Sequence, residues 1–537
     1  MNLVLGVDFG SGSVRSIVVD TENGDLLGSG EYTYQHTPSY PDPLMVRHHI
    51  TDYRSGLGIS IKEAIKDVDS TQIIGLGLGS TGSTILPVLS DGTPLMDISV
   101  HSENPNAHIW LWKDHTPIKE AEIINTLIHQ KYPHYLKRIG STFSSEWYWS
   151  KVLHCLTVDP VFFGEVYTWI EITDYLLFLI SGKDHIDDAV RNICTASHKA
   201  LYDEKQGGYP PLSFLSALDE RLLPLGQSLH KSPVLPCDQV SGKLSKEWAE
   251  RLGLQEGITL ATGALDAHFG AIGSNVGEHT LVKIVGTSSC DLTVVTTPPV
   301  EGSGLAGVVE DSVIPGMWAI EAGQSSVGDI FGWYVDSFLD GSHTSLIEEA
   351  TALQPGQSGL LSLDWHHGNR SILQDQNLSG LLLGLSLSTT AAEIYRALIE
   401  ATAFGAKVIL DRMQECGIQI DEIILTGGIP KKNPLLVQIY ADVHDRPMLL
   451  GECEHASALG SAIAASVAVG IYQSIEAAQK QIVSKPTTVV YPNKEATVIY
   501  RRLYTLYRRL HDSFGVATTQ ADLYSVMKEL LALKNEG

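Results

Sequence analysis

The chain has 537 residues, 43% of them hydrophobic, and a net charge of −25 from 62 acidic and 37 basic side chains. That length exceeds a single core and implies two domains of an ordinary globular protein. The acidic balance argues against nucleic acid and anionic membrane as main partners. An anionic substrate would then need Mg²⁺, backbone amides or individual lysines to compensate it.

Residues 3–20, LVLGVDFGSGSVRSIVVD, set the pattern. An apolar run ends at Asp8, a turn of Gly10, Ser11, Gly12 and Ser13 follows, and a second β-prone run closes a hairpin. Successive small residues let backbone N–H groups converge on an anion. A carboxylate beside a phosphate needs a hard cation between them, and Mg²⁺ suits that role. An ordinary hairpin turn remains the alternative. A second copy lies at 281–295, LVKIVGTSSCDLTVV, with its turn at Gly286, Thr287 and Ser288. The repeat points to an internal duplication, with one nucleotide gripped in a cleft between two similar halves.

Residues 32–54 read as a loop and 61–68 as a short helix. The strand 73–78 leads into Gly79-Ser80-Thr81-Gly82-Ser83-Thr84, which suits a ligand-facing crevice at the carboxyl end of a sheet and a plain strand–turn equally. Between His101 and His115, polar residues alternate with Trp110 and Trp112, and 144–151 (SSEWYWSK) repeats that mixture. Sugars stack on indoles and bond to Asp, Asn, Lys and His, so Trp112 and Asp114 are candidate sugar contacts; tryptophans anchoring a core are the alternative. Residues 169–180 read as a helix and 191–199 as a mixed loop or strand ending at Lys199, a sugar donor or a solvated lysine. Asp266 follows a strand at 258–262, flanked by Gly263, Ala264, Ala267 and Gly270. A general base for phosphoryl transfer and a helix N-cap both suit it. In the second half, a strand ends at Gly427-Gly428, and Asn433-Pro434 opens a helix; this arrangement admits adenine or ribose against backbone, with an ordinary βα turn as the alternative. The small-residue helices at 391–417 and 456–468 suit a hinge. The amphipathic, partly basic tail at 500–533 offers an oligomer contact, which leaves a homodimer open.

Six scattered cysteines show no CxxC or zinc spacing and fit a reducing cytoplasm. The N-terminus has no basic n-region of a signal peptide. The run 456–472 is too short to span a bilayer. Neither a Walker A lysine motif nor HExxH occurs.

Several runs together carry a resemblance. They are 103–116 (ENPNAHIWLWKDHT), 144–151, SHK ending at Lys199, 264–273 (ALDAHFGAIG), 283–291 (KIVGTSSCD) and 321–329 (EAGQSSVGD). With them go Gly380, Gly384 and Leu385 followed by Glu393, Ile394, Ala397 and Glu400. The chain resembles the FGGY family of carbohydrate kinases end to end, and within it the ribulokinases. One departure is Gly79, where many ribulokinases carry Asp.

The resemblance implies an α/β fold of two ribonuclease-H-like, actin-like ATPase domains, with the nucleotide in the interdomain cleft. Residues 1–273 would bind sugar and 277–537 adenosine. It implies ATP-dependent phosphorylation of L-ribulose to L-ribulose 5-phosphate, as in arabinose catabolism. In that scheme Asp266 is the base, and Asp8 with Gly10–Ser13 is the first phosphate motif, Asp8 holding Mg²⁺. Gly286–Ser288 is the second phosphate motif. Gly427, Gly428 and Asn433 meet adenosine, and Gly82, Lys199 and Glu321 meet ribulose. Another kinase of the family (for xylulose, ribitol or glycerol) or an actin-like nucleotide switch are the alternatives.

Overall fold

The computed structural model describes residues 2–36, 38–299, 304–339, 342–519 and 523–536. The chain forms two compact units. The first takes residues 2–275, 308–319 and 455–484; the second takes 276–307, 320–454 and 485–536, within the described residues.

The main sheet of the first unit runs Val240–Lys243, Thr259–Ala261, Ile73–Ser80, Leu3–Phe9, Ser13–Asp20, Leu26–Thr33, with Ala264–Leu265 also paired to Ile73–Ser80. Leu3–Phe9, Ser13–Asp20 and Leu26–Thr33 pair antiparallel. Leu3–Phe9, Ile73–Ser80 and Thr259–Ala261 pair parallel. The second unit repeats this ladder. Trp318–Ala322, Ser289–Val295, Thr280–Val285, Glu422–Thr426, Met448–Leu450 and Val489–Val490 follow one another. Thr280–Val285 is antiparallel to Ser289–Val295 and parallel to Glu422–Thr426. In each unit the opening hairpin therefore supplies a central strand, and the turn sits at that strand's carboxyl end, where α/β sheets bind ligands.

The alternation of buried Leu3, Leu5, Val7 and Phe9 with Val4 reflects a strand covered on both faces. One covering element is the helix Ala456–Ala468. A Cβ at Gly6 would fall 1.9 Å from the Ala458 carbonyl oxygen, and one at Gly77 2.1 Å from that of Ser461. The small residues read as a hinge thus serve close packing of this helix inside the first unit. A second, four-stranded sheet of that unit runs Arg47–His48, Ile109–Trp110, Ile85–Val88, Thr168–Glu171.

Local structure departs from the sequence reading in several places. The segment 32–54 holds the end of the third strand, the strand Arg47–His48 and the start of the helix Ile50–Ala64. His49 opens that helix by accepting from Thr51 N. The segment 191–199 becomes a short strand and the helix Ile193–Lys199, because Asn192 Oδ1 caps it through Thr195 N at 2.7 Å. In 168–181 only Ile172–Ser181 is helical, since Thr168–Glu171 joins the smaller sheet. No described helix is long and apolar enough to cross a membrane.

Candidate active site

The first turn is closed by Gly10 N donating to Ser13 O at 2.9 Å. Tyr34 braces it from behind, with its N–H on Gly12 O at 3.0 Å and its hydroxyl on Gly10 O at 3.2 Å. Ser11 and Gly12 are exposed, and a Cβ at Gly12 would meet nothing within 4 Å. Internal packing does not dictate that glycine, so the turn's outer side is open to a ligand. Trp112 Nε1 donates to Ser11 Oγ at 2.9 Å and ties the turn to the segment after Ile109–Trp110.

Asp8 lies beside this turn. Its Oδ1 is shielded from solvent and has no hydrogen-bond partner. Burial pushes its carboxyl up to about 7; the charge of Asp266 adds to the rise and Arg15 opposes it. A buried, unpartnered carboxylate oxygen next to a second carboxylate is an unfavourable arrangement that a divalent cation relieves. The residues present therefore fit Mg²⁺.

Asp266 is the first residue of the helix Asp266–Gly273; Leu265 holds the cap position, and Asp266 Oδ1 accepts from Ala267 N at 2.7 Å. Gly82 packs on its neighbour, since a Cβ there would lie 1.9 Å from Leu265 Cδ2. His198 Nε2 and His268 Nε2 are 3.3 Å apart, so the helix ending at Lys199 meets the helix that begins at Asp266. Lys199 Nζ stands 5.4 Å from the centre of the Trp147 ring. The first unit thus gathers Asp8, Gly10–Ser13, Gly82, Trp112, Lys199 and Asp266.

Asp114 is close in sequence to Trp112 but fully buried. Its oxygens accept from Val46 N at 2.8 Å and Thr116 N at 3.2 Å, and it pairs with buried Arg47. The Arg47 guanidinium stacks 3.4 Å from the centre of the Trp110 ring. Trp110 is therefore a core anchor, and Asp114 shapes the loop that presents Trp112 instead of facing a sugar. Gly79 has a packing reason of its own: a Cβ would come 2.7 Å from the Phe269 ring, so a side chain there requires that ring to shift.

In the second unit Gly286 N donates to Ser288 O at 2.9 Å. The backbone entering the helix Gly328–Phe338 wraps this turn. Val327 N and Asp329 N donate to Thr287 O, and Gly328 N to Gly286 O. Gly427 has φ +101° and sits against Val285, where a Cβ would lie 2.4 Å from the carbonyl oxygen. Gly428 opens a short helix, Gly428–Lys432, that the sequence reading did not foresee; it is exposed, with nothing within 4 Å of a Cβ. Asn433 is buried and caps Pro434–His444 through Leu436 N at 3.1 Å. Glu321 is half-buried on Trp318–Ala322.

Two further side chains stand beside the Gly82 and Trp112 segments, Lys151 and Glu171, neither marked as functional by the sequence. Lys151 is fully buried, and burial lowers its ammonium to about 7. Burial, with the charge of Asp174 adding, raises the Glu171 carboxyl to about 8. Lys151, two residues after Trp149 at the end of the tryptophan-rich run 144–151, was the available signal.

An exposed glycine–serine turn beside an unpartnered acid, repeated as a turn in a second sheet of the same ladder order, defines a two-domain, actin-like α/β nucleotide-using protein. The models of the FGGY family of carbohydrate kinases match here: the N-terminal domain over residues 3–273 and the C-terminal domain over 281–469. The chain belongs to the FGGY family of carbohydrate kinases. It is similar to a ribulokinase of Halalkalibacterium halodurans, 38% identical with 99% of this chain and 97% of the relative covered. It is also similar to a ribulokinase of Shouchella clausii, at 37% with 98% and 97% covered. Among solved structures, a ligand-bound xylulose kinase from Lactobacillus acidophilus shares the fold, with a TM-score of 0.82 over 96% of this chain and 99% of that one, at 18% identity.

Proposed function

We propose that the protein transfers the γ-phosphoryl group of ATP to the primary hydroxyl of L-ribulose, giving L-ribulose 5-phosphate and ADP. The reading rests on similarity to ribulokinases along almost the whole chain, joined to the Asp8–Asp266 pair beside an open turn. In this reading the N-terminal FGGY domain, about 1–273, binds sugar through Gly82, Trp112 and Lys199. The second, about 277–537, contributes Glu321 to sugar recognition and binds the nucleotide through Gly286–Ser288, Gly427 and Gly428, with Asn433 shaping that edge. Asp266 takes the proton of the attacking hydroxyl as the new O–P bond forms and the bond to the ADP oxygen breaks. Backbone amides of Gly10–Ser13 and Gly286–Ser288 donate to phosphate oxygens. Asp8 would hold Mg²⁺, which would supply charge neutralisation to the transferring phosphoryl group.

Buried, reduced Cys155, Cys237 and Cys416 fit a cytoplasmic setting. Self-association through the tail at 500–533 is the proposed homodimer contact, which light scattering checks. The test of the activity is ADP release with L-ribulose, xylulose, ribitol and glycerol. L-ribulose should give the highest kcat/KM. A clear preference for another sugar of that panel overturns the substrate assignment, and ATP turnover indifferent to all of them overturns the kinase reading.

A further inference from the structure

Three separated segments that carry candidate sugar contacts meet on one helical turn of the first unit. Trp147 and Lys151 are four residues apart where the helix Tyr148–Val158 begins, so they share a face. The Trp147 ring faces Lys199. Lys151 Nζ donates to Ser83 O and, at 2.8 Å, to Leu111 O. Ser83 follows Gly82, and Leu111 precedes Trp112. The next residue of the first turn is held as well: Thr84 N donates to Glu171 Oε2 at 3.1 Å, and Thr84 O accepts from Ile172 N at 2.8 Å.

Ser83 has φ +55°, uncommon for a residue with a side chain. Such a conformation persists only where its surroundings over-determine it, and it gathers at ligand clamps. Lysine is almost never fully buried without partners, and a hydrophobic residue of similar volume fills such a site without the desolvation penalty. What the ammonium adds here is a tie between two loops that no apolar side chain can make.

We propose that Lys151, assisted by Glu171, is the positioning residue of the sugar pocket: its ammonium ties the Gly82–Thr84 turn to the Leu111–Trp112 loop and fixes their spacing for the hydroxyls of a ketopentose. This rests on the reading above that these loops bind sugar. A pocket set before the ligand arrives loses less freedom on binding. Its loss therefore falls chiefly on sugar affinity, and ATP feels it only indirectly, through the Trp112 bond to Ser11.

The experiment compares full-length wild type with Lys151→Met, which keeps the apolar stem and removes the donors. The sugar is L-ribulose, or whichever of the four compounds above the wild type phosphorylates best. The expected result is a rise of at least tenfold in sugar KM, with kcat at saturating sugar within about threefold and ATP KM within about twofold. Glu171→Leu should move sugar KM in the same direction. If Lys151→Met does not fold, Lys151→Gln, which retains an amide donor, should still raise sugar KM measurably. An unchanged sugar KM in a folded Lys151 variant, or equal changes in sugar and ATP KM, overturns the proposal while the functional reading stands. A wild type that takes none of the four compounds overturns both.

Discussion

The two hairpins share strand order, turn position and small-residue turns, yet they treat charge in opposite ways. In the first, Asp8 stands at the strand end with one oxygen unpartnered and its carboxyl raised to about 7, burial leading and Asp266 adding. In the second, Ile284 occupies the corresponding place, two residues before the glycine. The acid of that hairpin, Asp291, is paired with buried Lys283 at 2.8 Å, and Ser289 and Gln324 complete the network. The second turn also has its carbonyls taken by the entry to the helix Gly328–Phe338. One hairpin therefore leaves charge for a ligand to satisfy, and the other balances its charge internally and offers a rigid cradle.

The sharpest way to break this asymmetry is at Asp266, the partner of the uncompensated acid. Asp266→Asn should lower kcat by roughly 10²–10⁴, the usual range for a general base, with an unchanged melting temperature. An amide of the same size still accepts from Ala267 N, so a helix-start role alone predicts a mild effect. A variant that melts like wild type and keeps kcat within about threefold removes the base from the account.

Lys283→Met probes the compensated copy. It leaves Asp291 buried and unpaired, a change that costs about 3–5 kcal/mol. The midpoint of the lowest unfolding transition should drop, whereas a midpoint equal to wild type would mean that the pair is not what holds the second turn.

Asp8→Asn should have a smaller, conditional effect. Loss of a direct metal ligand should exceed the roughly tenfold lower bound seen for altered supporting residues, so activity should need at least about tenfold more Mg²⁺. Without Mg²⁺ the sign reverses for stability. The Asp8 carboxyl titrates near 7 folded against 3.8 unfolded. Between those values the native state binds the extra proton, so wild-type stability falls as pH rises through that window and stays low above it. The variant should melt higher than wild type at pH 8, and the gap should close as pH falls toward 4. A gap independent of pH contradicts the uncompensated charge.

Trp112→Phe should be the mildest. It removes the bond from Nε1 to Ser11 Oγ, worth about 0.5–1.5 kcal/mol, and should raise the ATP KM about two- to tenfold. No change in that KM would mean that the indole does not hold the turn.

Much of this was legible because it is local. Apolar runs around Gly10–Ser13 and Gly286–Ser288 announce both hairpins, and Asn433 before Pro434 announces a helix start. What the sequence hid depends on packing. Trp110, Trp112 and Asp114 share one polar-aromatic run. Arg47, more than sixty positions earlier, takes Asp114 and Trp110 into the core and leaves Trp112 at the turn. Lys151 looks like any lysine on a helix until the carbonyls of Ser83 and Leu111 arrive from other segments. The helix Ile50–Ala64 was obscured by Gly56 and Gly58, and Gly56 is there because a Cβ would press to 2.5 Å on Val14.

The central claim is phosphoryl transfer to a sugar, and the product tests it most directly. L-ribulose and Mg-ATP incubated with the wild-type protein should show, by phosphorus and carbon NMR, one phosphomonoester on the C5 oxygen for each ADP formed. ADP accompanied by inorganic phosphate and no sugar ester, or an ester on another oxygen, would contradict it.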